Sequence, residues 1–304
     1  MRLLQKAKKL SWVTAHPGYR THAWRLPMRI VRWEWCRMKG NPVRLPLFDF
    51  TIEARPTDGV GRVICYFREQ ADLLFAFMNH YLKPGMTVID VGANIGSHTI
   101  YAARLVTDQG QVFSFEADPD TFSLLQDNVR LNHIENATLS NLCVSDQVGT
   151  VSFNVNADSA RSSLLRKGAF QRILPASTLD KLLPSGLQAD LLKIDVEGAD
   201  YLVLGGAKRL FEMAPPQVVV IEVSSREREI RDFLWSYGYR LYRFDSRSLA
   251  FRELEWPTFN TYAVRDGIQA ELSVFTFSSL PAWKQPATPI GVRSSFSFFA
   301  HDQV

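Results

Sequence analysis

From residue 87 onward, short apolar runs alternate with segments of helical period. Residues 87–91, 112–116, 138–144, 190–195 and 217–223 read as strands, and residues 97–106, 121–132, 199–211 and 227–237 as the helices between them. Largely apolar strands that alternate with helices predict a parallel sheet covered on both faces, a doubly wound α/β domain. Two closing strands, at 239–244 and 261–264, follow one another without a helix and predict an antiparallel ending. Ahead of this pattern, residues 45–67 read as extended segments around Thr57-Asp58-Gly59, and Leu74, Phe77, Met78 and Tyr81 mark a helix stopped by Pro84-Gly85.

The first forty residues differ from the rest. Trp24, Met28, Val31 and Trp35 recur at helical spacing, while Arg25, Arg29 and Arg32 fall on other sides of the same helix. The expectation is that this stripe packs on the body and that the arginines are solvated; the alternative is a helix lying on a membrane surface. The chain therefore divides into a basic, Trp-rich helical arm (1–44), a hairpin and helix (45–83), the α/β domain (84–267) and an irregular Ser-, Phe- and Pro-rich tail (268–304).

Charge sharpens that division. Residues 1–40 hold ten Lys/Arg against Glu34 alone, a net +9, whereas the other 264 residues hold 25 basic and 30 acidic side chains, a net −5. A nucleic-acid groove across the body is not expected. No apolar run reaches the roughly 18 residues of a membrane span, and three scattered cysteines, Cys36, Cys65 and Cys143, make no disulfide framework. A reducing, cytoplasmic setting follows from that reading.

Candidate chemistry gathers at strand ends, where ligands of open α/β sheets bind. The first strand runs through Asp90 into Gly92-Ala93-Asn94-Ile95-Gly96. The glycines permit a path closed to other residues, and Asn94 is the non-glycine residue best suited to a left-handed conformation. Asp90 would repel a diphosphate and suit a cationic cofactor. Glu116 ends the second strand, where a carboxylate can accept both ribose hydroxyls. Ser145 and Asp146 end the third and make a wall for an adenine ring. In Leu191-Leu192-Lys193-Ile194-Asp195-Val196-Glu197-Gly198, period-two geometry puts Lys193, Asp195 and Glu197 on one side. Glu222, near the end of the next strand, adds a fourth group.

The strings DVGANIGSHT, FSFEADPD, CVSD, STLD, LLKIDVEGAD and VVVIEVSS, in this order, resemble the FkbM family of S-adenosylmethionine-dependent methyltransferases over residues 84–242. The resemblance implies a class I methyltransferase domain with a seven-stranded, mostly parallel Rossmann-like sheet whose last strand is antiparallel, and O-methylation of a sugar or other small metabolite. Carried over by position, Asp90, Gly92, Asn94 and Gly96 would hold the methionine part of S-adenosylmethionine and Glu116 its ribose, while Lys193, Asp195, Glu197 and Gly198 match the signature strand. Ala117 and Asp200 stand where the family often has Pro and Glu.

Methyl transfer from a sulfonium needs the acceptor oxygen held in line and its proton withdrawn. Asp195 or Glu197 is the expected base, with Lys193 orienting it or easing alkoxide formation; His98 is a rival base that lacks a paired acid in the sequence. A divalent metal on Asp195 and Glu197 lacks an obvious third ligand, so none is assigned. The expected partner is a small hydroxyl-bearing acceptor, a sugar or natural product, rather than nucleic acid, with membrane contact through the arm as an option. Cationic, hydroxyl-rich residues 156–172 could overhang the site. The rival functions are an NAD-dependent oxidoreductase, disfavoured by Asp90 and a missing third glycine, and a non-catalytic membrane-surface adaptor.

Overall fold

The structure, a computed structural model, describes residues 24–68, 71–155, 170–245 and 250–265. The expected C-terminal tail and most of the 156–172 segment lie outside the described residues. Five parallel strands make the heart of the sheet: β3 (Thr87–Val91), β4 (Gln111–Glu116), β5 (Ala137–Asn141), β9 (Leu191–Ile194) and β10 (Val218–Glu222). Beyond β10 come β13 (Asn260–Arg265), β11 (Tyr239–Asp245) and β12 (Ala250–Leu254), each antiparallel to its neighbour, so the full order is β12-β11-β13-β10-β9-β3-β4-β5. The chain runs outward from β3 to β5 and then returns to β9 on the other side of β3. That reversal puts a crevice at the carboxyl ends of β3 and β9.

Alternation along each strand feeds two cores. Val88, Val112, Leu191 and Val218 face one layer, while Ile89, Phe113, Leu192 and Val219 face the other. The second layer is built on α6 (Leu179–Leu182), α7 (Asp200–Gly205), α8 (Lys208–Met213) and α9 (Glu227–Ser236). The first layer holds α4 (Ser97–Val106) and α5 (Pro119–Leu131), and it continues without a break into α1 (Leu26–Lys39), the hairpin β1 (Val43–Leu47)–β2 (Phe50–Ala54), α2 (Gly59–Phe67) and α3 (Leu73–Tyr81). Asn128 of α5 and Asn132 at its C-terminal cap join these parts. The Asn128 amide accepts from Glu53 N and donates to the carbonyls of Glu53 and Ile95, and the Asn132 amide pairs with both backbone groups of Thr51. The outer edge of β2 is thus hydrogen-bonded to side chains in place of another strand.

Several expectations need correction. The apolar stripe of the arm does not pack on the body: Trp24, Met28, Val31 and Trp35 are 58 to 69% exposed. The buried face of α1 is instead Leu26 and Trp33, with Ile30 and Cys36 partly covered. The hairpin turns at Phe48-Asp49, and Thr57-Asp58-Gly59 leads into α2. The Val, Ile, Tyr and Phe content of residues 60–67 resembles a strand, but the segment is a helix that buries Ile64, Cys65, Tyr66 and Phe67, and it packs so close to β2 that a Cβ on Gly61 would fall 2.3 Å from Ala54 Cβ. The third core strand stops at Asn141. Residues Cys143–Val144 form β6, which joins a separate three-stranded sheet with β7 (Gly149–Val155) and β8 (Phe170–Ser177) in the order β6-β8-β7. The helix expected over 199–211 breaks in two at Gly206, where a Cβ would stand 2.0 Å from the Ser145 carbonyl oxygen. Finally, β12 is an eighth strand beyond the seven expected.

Candidate active site

The turn after β3 folds against the protein as closely as its residues allow. Gly92 (φ 79°), Asn94 (φ 50°) and Gly96 (φ 88°) are all left-handed. A Cβ on Gly92 would lie 1.8 Å from the carbonyl oxygen of Asp195, and one on Gly96 would lie 2.5 Å from Leu125 Cδ1. The close approaches that require glycine are therefore to the chain itself. Gly92 N and Ala93 N donate to the Phe115 carbonyl at 2.9 and 3.0 Å, tying the turn to β4.

Glu116 is the second tie. It is 8% exposed, and its two oxygens accept from Asn94 N and Asp118 N, both at 2.9 Å. Burial pushes its carboxyl up to about 7 despite these two hydrogen bonds. Each oxygen has a second lone pair that can accept a further hydrogen bond, an arrangement that fits the two hydroxyls of a ribose. Next to it the β6–β8–β7 sheet is clamped on the start of α5, with Arg172 of β8 donating to Asp118 at 2.9 Å and Asp120 at 2.7 Å. Ser145 is buried, donates from its backbone to Ser177 and from its hydroxyl to Asp146 Oδ1 at 3.2 Å, and leaves Asp146 exposed at the rim.

Asp90 does not serve as the open counter-charge that the sequence suggested. It is 1% exposed and stands in register with Lys193 on the neighbouring strand, whose Nζ donates to Asp90 Oδ1 at 3.0 Å, while the Thr99 hydroxyl donates to Oδ2 at 2.7 Å. Burial opposes ionisation, but the charges of Lys193 and His98 and the Thr99 hydroxyl outweigh it and hold this carboxyl below its usual range. The negative charge is thus neutralised inside the protein.

Lys193 is equally sealed, at 3% exposure, so easing alkoxide formation at an acceptor is not open to it. Besides Asp90 it donates to the Gly92 carbonyl at 3.0 Å, and its Nζ is 3.6 Å from Asp195 Oδ2. Burial disfavours the ammonium, yet Asp90 and Asp195 raise its pKa above the usual lysine value. Lys193 joins a buried anion, the turn and a half-buried carboxylate.

Asp195 and Glu197 lie just beyond β9, with Glu197 in a left-handed conformation (φ 56°). Asp200 fixes this loop, accepting from Val196 N and Gly198 N at 3.2 Å each, and Ser225 donates to the Gly198 carbonyl at 2.8 Å. Burial, reinforced by the charge of Asp195, pushes the Asp200 carboxyl up to about 7. Glu222, at the end of β10, completes the cluster: one oxygen each from Asp195, Glu197 and Glu222 falls within 4.8 Å of the others. Burial and the charges of Asp195, Glu197 and Asp200 raise the Glu222 carboxyl well above its usual range, and it shares a hydrogen bond with Asp195. With Glu222, already named as the further acid at the next strand end, the cluster offers three carboxylate oxygens that could hold a hard divalent cation.

His98 does have an acid nearby. Its Nε2 lies 3.3 Å from Asp72 Oδ2, and its ring rests 4.6 Å from that of Phe75. Burial works against ionisation of Asp72, but His98 and the Leu74 N–H more than offset it and lower its pKa. Asp72 precedes the repeating α/β pattern, and nothing in its spacing marks it as a partner of His98. In the sequence Asp200 stands out as a departure from the family motif, and its structural role follows from its place two residues after Gly198, within reach of the turn's N–H groups.

A model of the methyltransferase FkbM domain matches residues 90–241, half of the chain. The chain belongs to the FkbM methyltransferase family. This family uses S-adenosylmethionine, and membership removes the oxidoreductase alternative. The FkbM chain is similar to the hexuronic acid methyltransferase AglP of Haloferax volcanii, 28% identical over 225 residues that cover 66% of this chain and 84% of that one. It is also similar to a protein-L-isoaspartate O-methyltransferase of Caenorhabditis elegans, 26% identical over 110 residues covering 36% of this chain; it spans about half of that relative's length, 48%. Among solved structures, an S-adenosylmethionine-dependent methyltransferase of Aquifex aeolicus is 15% identical, with a TM-score of 0.37 over 63% of this chain and 88% of that one.

Proposed function

We propose that this FkbM methyltransferase methylates a hydroxyl oxygen of a sugar or other small metabolite, with Asp195 or Glu197 receiving the hydroxyl proton. The observation that carries this reading is the convergence of Asp195, Glu197 and Glu222 beside the Gly92 turn. The cluster puts carboxylate oxygens where a hydroxyl proton can be received, and burial with the charges of Asp195 and Glu197 gives Glu222 a raised affinity for a proton passed on to it. S-adenosylmethionine, when bound, supplies a methyl group on a positively charged sulfur.

The residues of this chain have separate tasks in that reading. Glu116 holds the ribose hydroxyls, Ser145 and Asp146 line the adenine side, and the turn from Gly92 to Gly96 receives the methionine part. Lys193 orients Asp195 through their 3.6 Å contact. Asp195 is half-buried and can meet an acceptor, whereas Lys193 and Asp90 cannot. His98 lies 3.3 Å from Asp72 and rests against the Phe75 ring.

A sugar acceptor is supported by the likeness to AglP, and an acceptor other than nucleic acid by the net −5 of the body. Among the described residues no helix is long and apolar enough to cross a membrane. The free thiols Cys36, Cys65 and Cys143 support a cytoplasmic setting. The test is to incubate the protein with methyl-labelled S-adenosylmethionine and a panel of a hexuronic acid, its neutral hexose, a peptide and an RNA. One methyl group gained on oxygen of a sugar supports the reading; label only on RNA, on peptide or on nitrogen overturns it.

A further inference from the structure

We infer that the outward face of α1 docks this protein on an anionic lipid surface. Trp24, Met28, Val31, Trp35 and Met38 follow one another at steps of four and three residues, so they form a single line along the helix, and all are 58 to 72% exposed. The opposite face, through Leu26 and Trp33, is already buried against the body, so the exposed line is a second apolar face rather than a misplaced core. Between the apolar residues a shallow groove is lined by Pro27, Met28, Val31, Arg32 and Trp35.

Charge selects the occupant. Arg25, Arg32, Arg37 and Lys39 are exposed on the same helix, with Arg25 stacked 4.4 Å over Trp24 and Lys39 5.3 Å from the Trp35 ring. Glu34, the helix's one acid, is taken by Arg37 at 2.8 Å. The sequence before residue 24 adds Arg2, Lys6, Lys8, Lys9 and Arg20 and no acid. A second copy of the same face would bring like charges together. A negatively charged bilayer meets the cations with phosphates and the apolar line with acyl chains, and indoles favour the headgroup level between the two. The helix has 14 residues, about 21 Å of length, so it lies in the interface and does not cross it.

The test uses the full chain and vesicles of phosphatidylcholine with and without phosphatidylserine, read by co-sedimentation and tryptophan emission. Binding to the phosphatidylserine vesicles is expected to be at least about tenfold tighter, to weaken with added salt, and to shift the emission to shorter wavelength. The Met28→Ser/Val31→Ser/Trp35→Ser variant should lose binding with an unchanged unfolding midpoint and unchanged methyl transfer, because these side chains contact water. Equal partition into both vesicles, or native binding by the triple variant, overturns the inference. So does a dimer that the triple variant abolishes, in a protein that ignores vesicles; that result would assign the face to a second copy.

Discussion

Lys193 and Asp90 face each other across adjacent parallel strands, Nζ to Oδ1 at 3.0 Å, with side chains 4% and 1% exposed. In-register strands put the two residues side by side, and alternation turns both toward the layer that holds Thr99 and His98. Their pairing leaves Asp195, the other acid near Lys193, at the surface of the crevice.

Removing one partner of this pair strands the other. Lys193→Met should destabilise the protein by about 3–5 kcal/mol, because the Asp90 carboxylate stays buried without its cation. Adding Asp90→Asn should recover a good part of that loss. Urea unfolding of the single and double variants measures it, and strictly additive losses would contradict the pairing.

Asp195→Asn keeps the shape of the side chain and removes its basicity. Turnover should fall by roughly 10²–10⁴, while affinity for S-adenosylhomocysteine, measured by calorimetry, stays near the native value. The same pair of measurements applies to Glu197→Gln. If both variants turn over at the native rate, neither carboxylate is the base. His98→Gln should retain turnover within about tenfold.

Much of this was legible in the chain. The alternation of runs beyond residue 87 gave the order of strands and helices, and Asn94 was singled out as left-handed because few other residues tolerate that conformation. What could not be read were meetings between distant segments. Asp90 and Lys193 are 103 residues apart, and only their shared register shows that the acid's charge is already matched. Asp72 joins His98 through packing alone, and while its place at the end of a strand marks Glu222 as a further acid, only the folded strands bring it within 4.8 Å of Asp195 and Glu197. The arm misled for a different reason. Its helix is apolar on two sides, and spacing identifies a stripe without saying which stripe the body covers.

Glu116 and Asp200 make native stability depend on pH in a defined direction. The Glu116 carboxyl ionises near 4.5 when unfolded and at about 7 when folded. The native state therefore holds more protons between those values, and the stability this group contributes is complete below pH 4.5 and lost as the pH rises to about 7. Glu116→Gln should show a smaller drop than the native protein when unfolding midpoints are compared across that range. An identical drop in both would mean that burial does not raise this group. The variant should also bind S-adenosylhomocysteine more weakly.

Gly92 and Gly85 separate two costs of a left-handed glycine. At Gly85 (φ 87°) a Cβ would meet open space, so Gly85→Ala should cost about 1–2 kcal/mol from backbone strain alone. At Gly92 the same methyl would strike the Asp195 carbonyl oxygen at 1.8 Å. Gly92→Ala should cost upwards of about 4 kcal/mol or displace the Asp195 loop, and comparing unfolding and turnover of the two variants measures the difference.

The asparagine pair of α5 and its C-terminal cap has a practical meaning for where this enzyme can be cut. Asn128 and Asn132 hold the rim of the hairpin as a zip fastener holds cloth, so the segment ahead of Pro84 is sewn to the catalytic half. A shortened protein beginning at that proline would keep every carboxylate of the crevice. It would also uncover the flank of α5 and take from the two amides the hairpin backbone at Thr51 and Glu53, inviting strands from other molecules to take the hairpin's place.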